Sequence, residues 1–242
     1  MSASLVVLAL SLLLGIQPIT TDLYLPALPA LTADLDAPVS SAQLTLTALL
    51  LAFGVSQMIW GPLSDRFGRR PILLAGLSAY ALASIGSALA GSMDLLVVWR
   101  AVQGAAMGAA VMCARAIVRD LYTPEQGARA MSRGLSGLGV IACLATPVGG
   151  AIADAFGWRA ALAVPAIFGS ATLALLALRF DETLPAKNTR ALQPGTLART
   201  WASILRDPAF LSYSALTTTS YAGLFTFLAT SPFVFLEVLG LS

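Results

Sequence analysis

Three side chains in this sequence are placed where they could do chemistry: Asp22, Arg100 and Gln103. Asp22 is the one acid well inside a long apolar run, and Arg100 lies inside another. An arginine near the middle of a membrane helix costs roughly 2.5–3.5 kcal/mol on insertion scales, so such a cation is usually paired or faces water. Arg100, Gln103 and Met107 are spaced i, i+3 and i+7, which puts them on one helical face. Asp22 stands one turn before Pro26, and Arg100 shortly after Asp94. At ~1.5 Å of rise per residue the two reach similar depth and can face each other. Burial and a nearby cation pull the proton affinity of an acid in opposite directions, a balance that would let Asp22 bind and release a proton. The plainer alternatives are that Asp22 caps a kinked helix end and that Arg100 snorkels to the interface. There is no histidine, which removes His-based triads, HExxH zinc sites and imidazole relays and leaves protonation to carboxylates. Cys113 and Cys143 sit in apolar runs without CxxC spacing and read as packing residues, so neither a metal nor a disulfide framework is expected.

A second constellation is Gly61-Pro-Leu-Ser-Asp65-Arg66-Phe-Gly68-Arg69-Arg70-Pro71, four charges in a segment that must reverse the chain. Glycine permits a tight turn and close helix approach. Asp65 can accept from free N–H groups at a helix start or pair with arginine, and Pro71 suits a first helical turn. Positive anchoring explains the arginines; the glycine spacing and the acid among them point to a structured latch.

The elements that position these residues follow from composition. Of 242 residues, 57% are apolar and only 11% charged, far from a soluble globule. The 14 Lys and Arg against 12 Asp and Glu leave a formal charge of +2 with no basic face for nucleic acid. A hydrocarbon core about 30 Å thick needs roughly 20 apolar residues as helix. Seven such runs are expected: 4–25, 43–63, 71–90, 95–116, 130–153, 159–178 and 209–233. Backbone groups in lipid must pair within each run, so these are helices. The amino-terminal run lacks the basic start and cleavage site of a signal peptide and is expected to remain as a helix.

Arginines follow the second, fourth and sixth runs, among them Arg66, Arg69, Arg70, Arg115, Arg119 and Arg179, whereas the alternate connections carry Asp34, Asp36, Asp94 and Asp154. The positive-inside bias then places the amino terminus in the cytoplasm. Short connections imply that consecutive helices are antiparallel neighbours. The exception, 181–207, holds the only lysine with Pro185 and Pro194 and reads as a linker. The expected organisation is a six-helix bundle over 1–179, a cytoplasmic linker over 180–207 and a further helix that starts a second unit over 208–242.

The Gly61–Arg70 spelling resembles the signature loop between the second and third helices of the major facilitator superfamily. Arg100-Ala-Val-Gln103-Gly104 resembles that superfamily's second signature, and Thr21-Asp22-Leu-Tyr24-Leu-Pro26-Ala-Leu-Pro29 resembles the first helix of its Bcr/CflA drug-resistance branch. Pro147-x-x-Gly150 is a partial likeness to the antiporter signature, with Ala142 and Thr146 where the fuller motif has glycine; ordinary close packing explains it nearly as well. The resemblance implies an all-α integral membrane protein with an MFS-type amino-terminal bundle plus a seventh helix, an incomplete form of a twelve-helix transporter. It implies gating by Gly61, Asp65, Arg66, Gly68, Arg69 and Arg70, with Arg69 reaching Asp120, and proton coupling at Asp22 with Arg100 as its partner. It implies a substrate cavity containing Tyr24 and Gln103. Met107, on the face of Arg100 and Gln103, and Thr217 and Tyr221 in the seventh run, with Ser220 and Phe225 beside them, could line that pathway or simply pack.

The function so implied is export of small amphipathic compounds against protons across a bacterial inner membrane, without a cofactor and with a second half of the molecule completing the cavity. Proton-coupled uptake, or a non-transporting module that binds a full transporter, remain as alternatives. An intramembrane enzyme has no recognisable reaction centre to support it.

Overall fold

The computed structural model describes residues 2–233, and their regular structure is all helical. Helix α1 (Ala3–Thr21) starts where the Ser2 hydroxyl accepts from the Leu5 N–H at 3.3 Å. The chain then unwinds through Asp22–Tyr24, makes a short 3-10 turn (Leu25–Ala27) and re-forms as α2 (Leu28–Asp34). The first run is therefore broken near Asp22 rather than continuous to Leu25. Pro18 inside α1 and Pro26 and Pro29 after it each lack a backbone donor, which explains the failure of the ladder here.

There follow α3 (Val39–Phe67), α4 (Arg69–Ala88), α5 (Met93–Leu121), α6 (Pro124–Phe156) and α7 (Trp158–Arg179). Six stretches among the described residues are long and apolar enough to cross a membrane, the first being Ala3–Asp34. The helices outrun the apolar windows. The expected turn at Gly61–Pro71 is helical through Phe67, so the chain reverses at Gly68 alone, whose φ of +110° favours glycine. Likewise α5 continues past the apolar window to Leu121 and carries Arg115, Arg119 and Asp120 on its last turns.

Only some of the main neighbours are consecutive helices, α4 and α5 among them. Helix α3 packs chiefly on α5, α1 on α6, and α4 on both α5 and α7. Small residues decide these pairings, because without a hydrophobic drive between helices the gain comes from close approach. A Cβ at Gly104 would fall on the Leu49 carbonyl of α3, so only glycine lets α5 sit this close. The indole N–H of Trp60 then reaches across to the Ala105 carbonyl at 2.7 Å. In α6, a Cβ at Gly149 would strike the Leu23 carbonyl, whereas one at Gly150 would meet only ordinary contact with Pro26, and Pro147 is exposed. The tight contact thus belongs to the residue beside the one expected.

The alternation of connections is visible in space. Asp34 pairs with Arg159 at 2.6 Å and accepts from the Trp158 indole at 3.0 Å, while Arg159 also donates to the Ala90 carbonyl at 3.3 Å. These residues lie near the ends of the first, third and fifth connections. The connections after α3, α5 and α7 meet at the opposite, basic end.

The chain divides into two compact units, residues 1–191 and 192–242. The stretch expected as a linker is not uniform. Residues 180–191 belong to the first unit, and α8 (Pro194–Ile204) occupies much of the rest before α9 (Pro208–Phe233). Residues 234–242 and the side chain of Phe225 lie outside the described residues.

Candidate functional site

Two polar clusters interrupt the apolar bundle. The inner one centres on Arg100, which is 0% exposed and therefore does not snorkel. Its Nη1 donates to Gln103 Oε1 at 2.8 Å and its Nη2 to the Thr20 carbonyl at 3.0 Å. The guanidinium lies over the Tyr24 ring, 4.1 Å from the centroid, and its Nε makes no hydrogen bond. Thr20 belongs to the last turn of α1, where carbonyls lack intrahelical donors and the helix dipole is negative. A buried cation is thus held by a helix end and an aromatic face rather than by a carboxylate.

Hydroxyl protons order the rest of the network, since each hydroxyl has one proton to donate. Gln103 Nε2 donates to Ser84 Oγ at 2.7 Å, and Ser84 donates to the Tyr80 carbonyl at 2.7 Å. Thr20 donates to the Ile16 carbonyl, which leaves the Tyr80 hydroxyl as donor to Thr20 Oγ1 at 2.6 Å. By the same reasoning Thr45 donates to the Ala42 carbonyl at 2.6 Å, and Tyr24 donates to Thr45 at 2.8 Å. Asp22 stands just outside this enclosure. It is half-buried, lies 2.6 Å from the Thr21 hydroxyl and forms no ion pair within the described residues. The direct pairing expected between Asp22 and Arg100 is absent: the α1 break sends the Thr20 carbonyl, not the Asp22 carboxylate, to the guanidinium.

The outer cluster is at the basic end. Arg69 Nη1 binds Asp65 Oδ1 at 2.7 Å and its Nε binds Asp120 Oδ2 at 2.8 Å, with Ser64 Oγ as a further acceptor. One guanidinium therefore clamps the end of α3 to the end of α5, bringing Arg69 to the expected Asp120. The side chains of Arg69 and Asp120 are 2% and 7% exposed, but that of Asp65 is 42% exposed. Arg119 makes only long contacts, 4.0 Å to Asp65 and 3.9 Å to Asp120. A cleft of about 370 Å³ opens beside the clamp, lined by Gln57, Gly61, Asp65, Arg69, Arg115 and Arg119 among others. Gly61 faces open space and so leaves room instead of permitting helix contact. Arg70 donates to the Ala177 carbonyl at 2.8 Å, tying α4 to α7, and exposed Arg66 lies over the Phe67 ring.

The sequence profile of the Major Facilitator Superfamily matches residues 10–242. The chain belongs to the Major Facilitator Superfamily. It is 37% identical to the MFS-type transporter YdgK of Bacillus subtilis (strain 168) over 97% of this chain and 60% of that protein. It is 30% identical to the bicyclomycin resistance protein homolog of Haemophilus influenzae over 99% of this chain and 60% of the relative. The chain thus spans about 60% of the length of these curated relatives. Its fold matches that of the MFS proton:xylose symporter XylE, solved with 6-bromo-6-deoxy-D-glucose, with a TM-score of 0.74 at 19% identity over 99% of this chain and 63% of that one.

For this member of the superfamily the expected site residues separate into groups. Tyr24 and Gln103 meet at the Arg100 guanidinium, and both are buried, as is Met107, which lies apart among the apolar core residues around Leu10, Leu49 and Tyr80. Thr217 and Tyr221 belong to the second unit and are exposed there. Thr20, Thr45, Tyr80 and Ser84 complete the Arg100 network without having been anticipated. Hydroxyls in membrane helices bond either their own backbone or a neighbouring helix, so their spacing carries no separate signal. Ser64, in a presumed turn, was missed for a related reason, and so was Glu182, in a presumed linker, whose carboxylate accepts from the Arg69 N–H at 2.8 Å.

Asp65→Ala should loosen the hold of the clamp on α3, leaving Arg69 on Asp120 and on Ser64 Oγ. Because Asp65 is substantially exposed, the stability loss should stay below about 1 kcal/mol. Cysteine accessibility at the basic end should rise with substrate affinity little changed; a large affinity loss at constant accessibility would contradict this.

Proposed function

We propose that the complete protein is a proton-coupled antiporter that exports small amphipathic compounds, drugs among them, across a bacterial inner membrane by alternating access. In this reading residues 1–179 form the first bundle, 180–207 the cytoplasmic connection and 208–242 the start of a second bundle that completes the cavity. The amino terminus and the basic end carrying Gly68 face the cytoplasm, in line with the arginines gathered there. Drug resistance in the name of the Haemophilus relative supports export.

The observation that carries the proposal is the fully buried Arg100 guanidinium at a break in α1 that leaves Asp22 half-buried and outside any ion pair of the described residues. Asp22 is the proton carrier. Arg100 is its electrostatic partner at one remove, fixing through Thr20 and Tyr24 the backbone on which Asp22 is presented. Protonation of Asp22 removes one negative charge from the break in α1, so the two protonation states favour different arrangements of the α1 end. Gln103 orients Arg100 from within the buried network, while Asp65, Arg69 and Asp120 close the cytoplasmic side. Pro147 and Gly150 belong to the helix that lets the α1 break sit close. The proton gradient supplies the work, so no cofactor is needed.

The test is proton movement. Everted membrane vesicles holding the complete protein and acidified inside should lose their pH gradient when a lipophilic quaternary ammonium compound is added outside. Uptake by symport predicts no loss, because no substrate is present on the acidic side. An unchanged gradient across a panel of amphipathic compounds would reject antiport.

A further inference from the structure

The clamp at the basic end is held by more than the two helices that carry it. After α7 the chain folds back over the bundle as a strap, anchored by buried Phe180, Thr183 and Ala191. Glu182 Oε1 accepts from the backbone N–H of Arg69 at 2.8 Å, and from those of Thr183 and Leu184 at 3.0 Å each; Oε2 accepts from the Arg70 N–H at 3.2 Å. The first N–H groups of α4 have no intrahelical acceptors, and the helix dipole favours an anion there. A Cβ at Gly68 would collide with Glu182 Oε2, so the carboxylate fills the space that glycine leaves. Further along, the Asn188 N–H donates to the Asp65 carbonyl at 2.8 Å. One strap is thereby bonded to the backbone of both Asp65 and Arg69. Burial pushes the Glu182 carboxyl up, but these backbone donors outweigh it and hold it below its ordinary value, so it stays charged.

We propose that Glu182 is a positioning residue for Arg69: it sets the Gly68 corner so that the Arg69 guanidinium spans Asp65 and Asp120, and so links the end of α7 to the clamp. Its consequence for transport rests on the reading of that clamp as a gate. As the strap moves with α7, the corner loosens and Arg69 can leave one of its two acids.

Cys113 is a built-in reporter of this corner, being buried in α5 with its thiol 3.9 Å from the Arg69 carbonyl. In membranes holding the complete protein with exposed Cys143 and every cysteine outside residues 1–242 replaced by serine, labelling by N-ethylmaleimide then reads how often the corner opens. Glu182→Ala should raise the Cys113 labelling rate about tenfold, and Glu182→Gln, which keeps one acceptor oxygen, about threefold. Asp34→Ala at the opposite end should leave the rate unchanged, and an equal rise there would overturn the proposal by showing general loosening. Parental labelling in Glu182→Ala would also overturn it. Should that variant fail to reach the membrane, a parental rate in Glu182→Gln decides the same way. The gate is read separately: Glu182→Gln should change the maximal transport rate and leave half-saturation in place. Faster labelling with unaltered transport kinetics would uphold the positioning role and reject the gate.

Discussion

Asp22→Asn should reduce the proposed proton-driven export by the complete protein to the level of membranes that lack it, with the amount of inserted protein unchanged. Asparagine has the same shape and can still accept from the Thr21 hydroxyl 2.6 Å away, so the α1 break keeps its local bonding. Asp22 is in no ion pair of the described residues, so no buried partner is orphaned by neutralising it. What disappears is the ability to gain and lose a proton. Exchange of substrate for substrate, which needs no net proton movement, should survive. Energised export at parental rates across a range of pH would remove Asp22 from the mechanism.

Arg69→Met should cost about 3–5 kcal/mol of stability, because Asp120 would keep its burial and lose its strong partner. Arg119 cannot replace it, since that side chain is 72% exposed and only 3.9 Å away at its nearest. The double variant Arg69→Met with Asp120→Leu should regain most of the loss, as a buried ion pair exchanged for apolar groups of similar volume is often neutral. Thermal midpoints in detergent would measure both. A double variant as unstable as the single one would mean that the clamp holds the fold by something other than its paired charges.

Much of this was legible in the sequence. Apolar run length marked the helices, and the alternation of connections carrying Asp34, Asp94 and Asp154 with those carrying Arg66, Arg69, Arg70 and Arg119 marked the two ends, because both depend on the bilayer and not on which helix touches which. Pro71 does lie in the first turn of α4. Hydropathy could not reveal the partners of α1 and α3, since lipid and protein are almost equally apolar to a leucine; surface detail such as Gly104 against Leu49 decides them. The Gly61–Phe67 stretch was misread as a turn because charges mark where the hydrocarbon ends, whereas α3 simply projects beyond it. Arg100 was matched to Asp22 because an acid is the expected partner of a cation, while a carbonyl and an aromatic face leave no such trace. Glu182 meets Arg69 across 113 positions of chain, and only folding joins them.

The Arg100 network also has a direction in time. A ribosome delivers the amino-terminal spans first, so Thr20, Tyr24 and Ser84 are already in place when the guanidinium arrives, and Gln103 follows within a turn. The residue least tolerated by lipid is handed to acceptors that are waiting for it. Shuffling the gene so that α5 is made before α1 and α4 would reverse that sequence of events and expose a naked cation to the translocon, although the finished set of contacts would be the same.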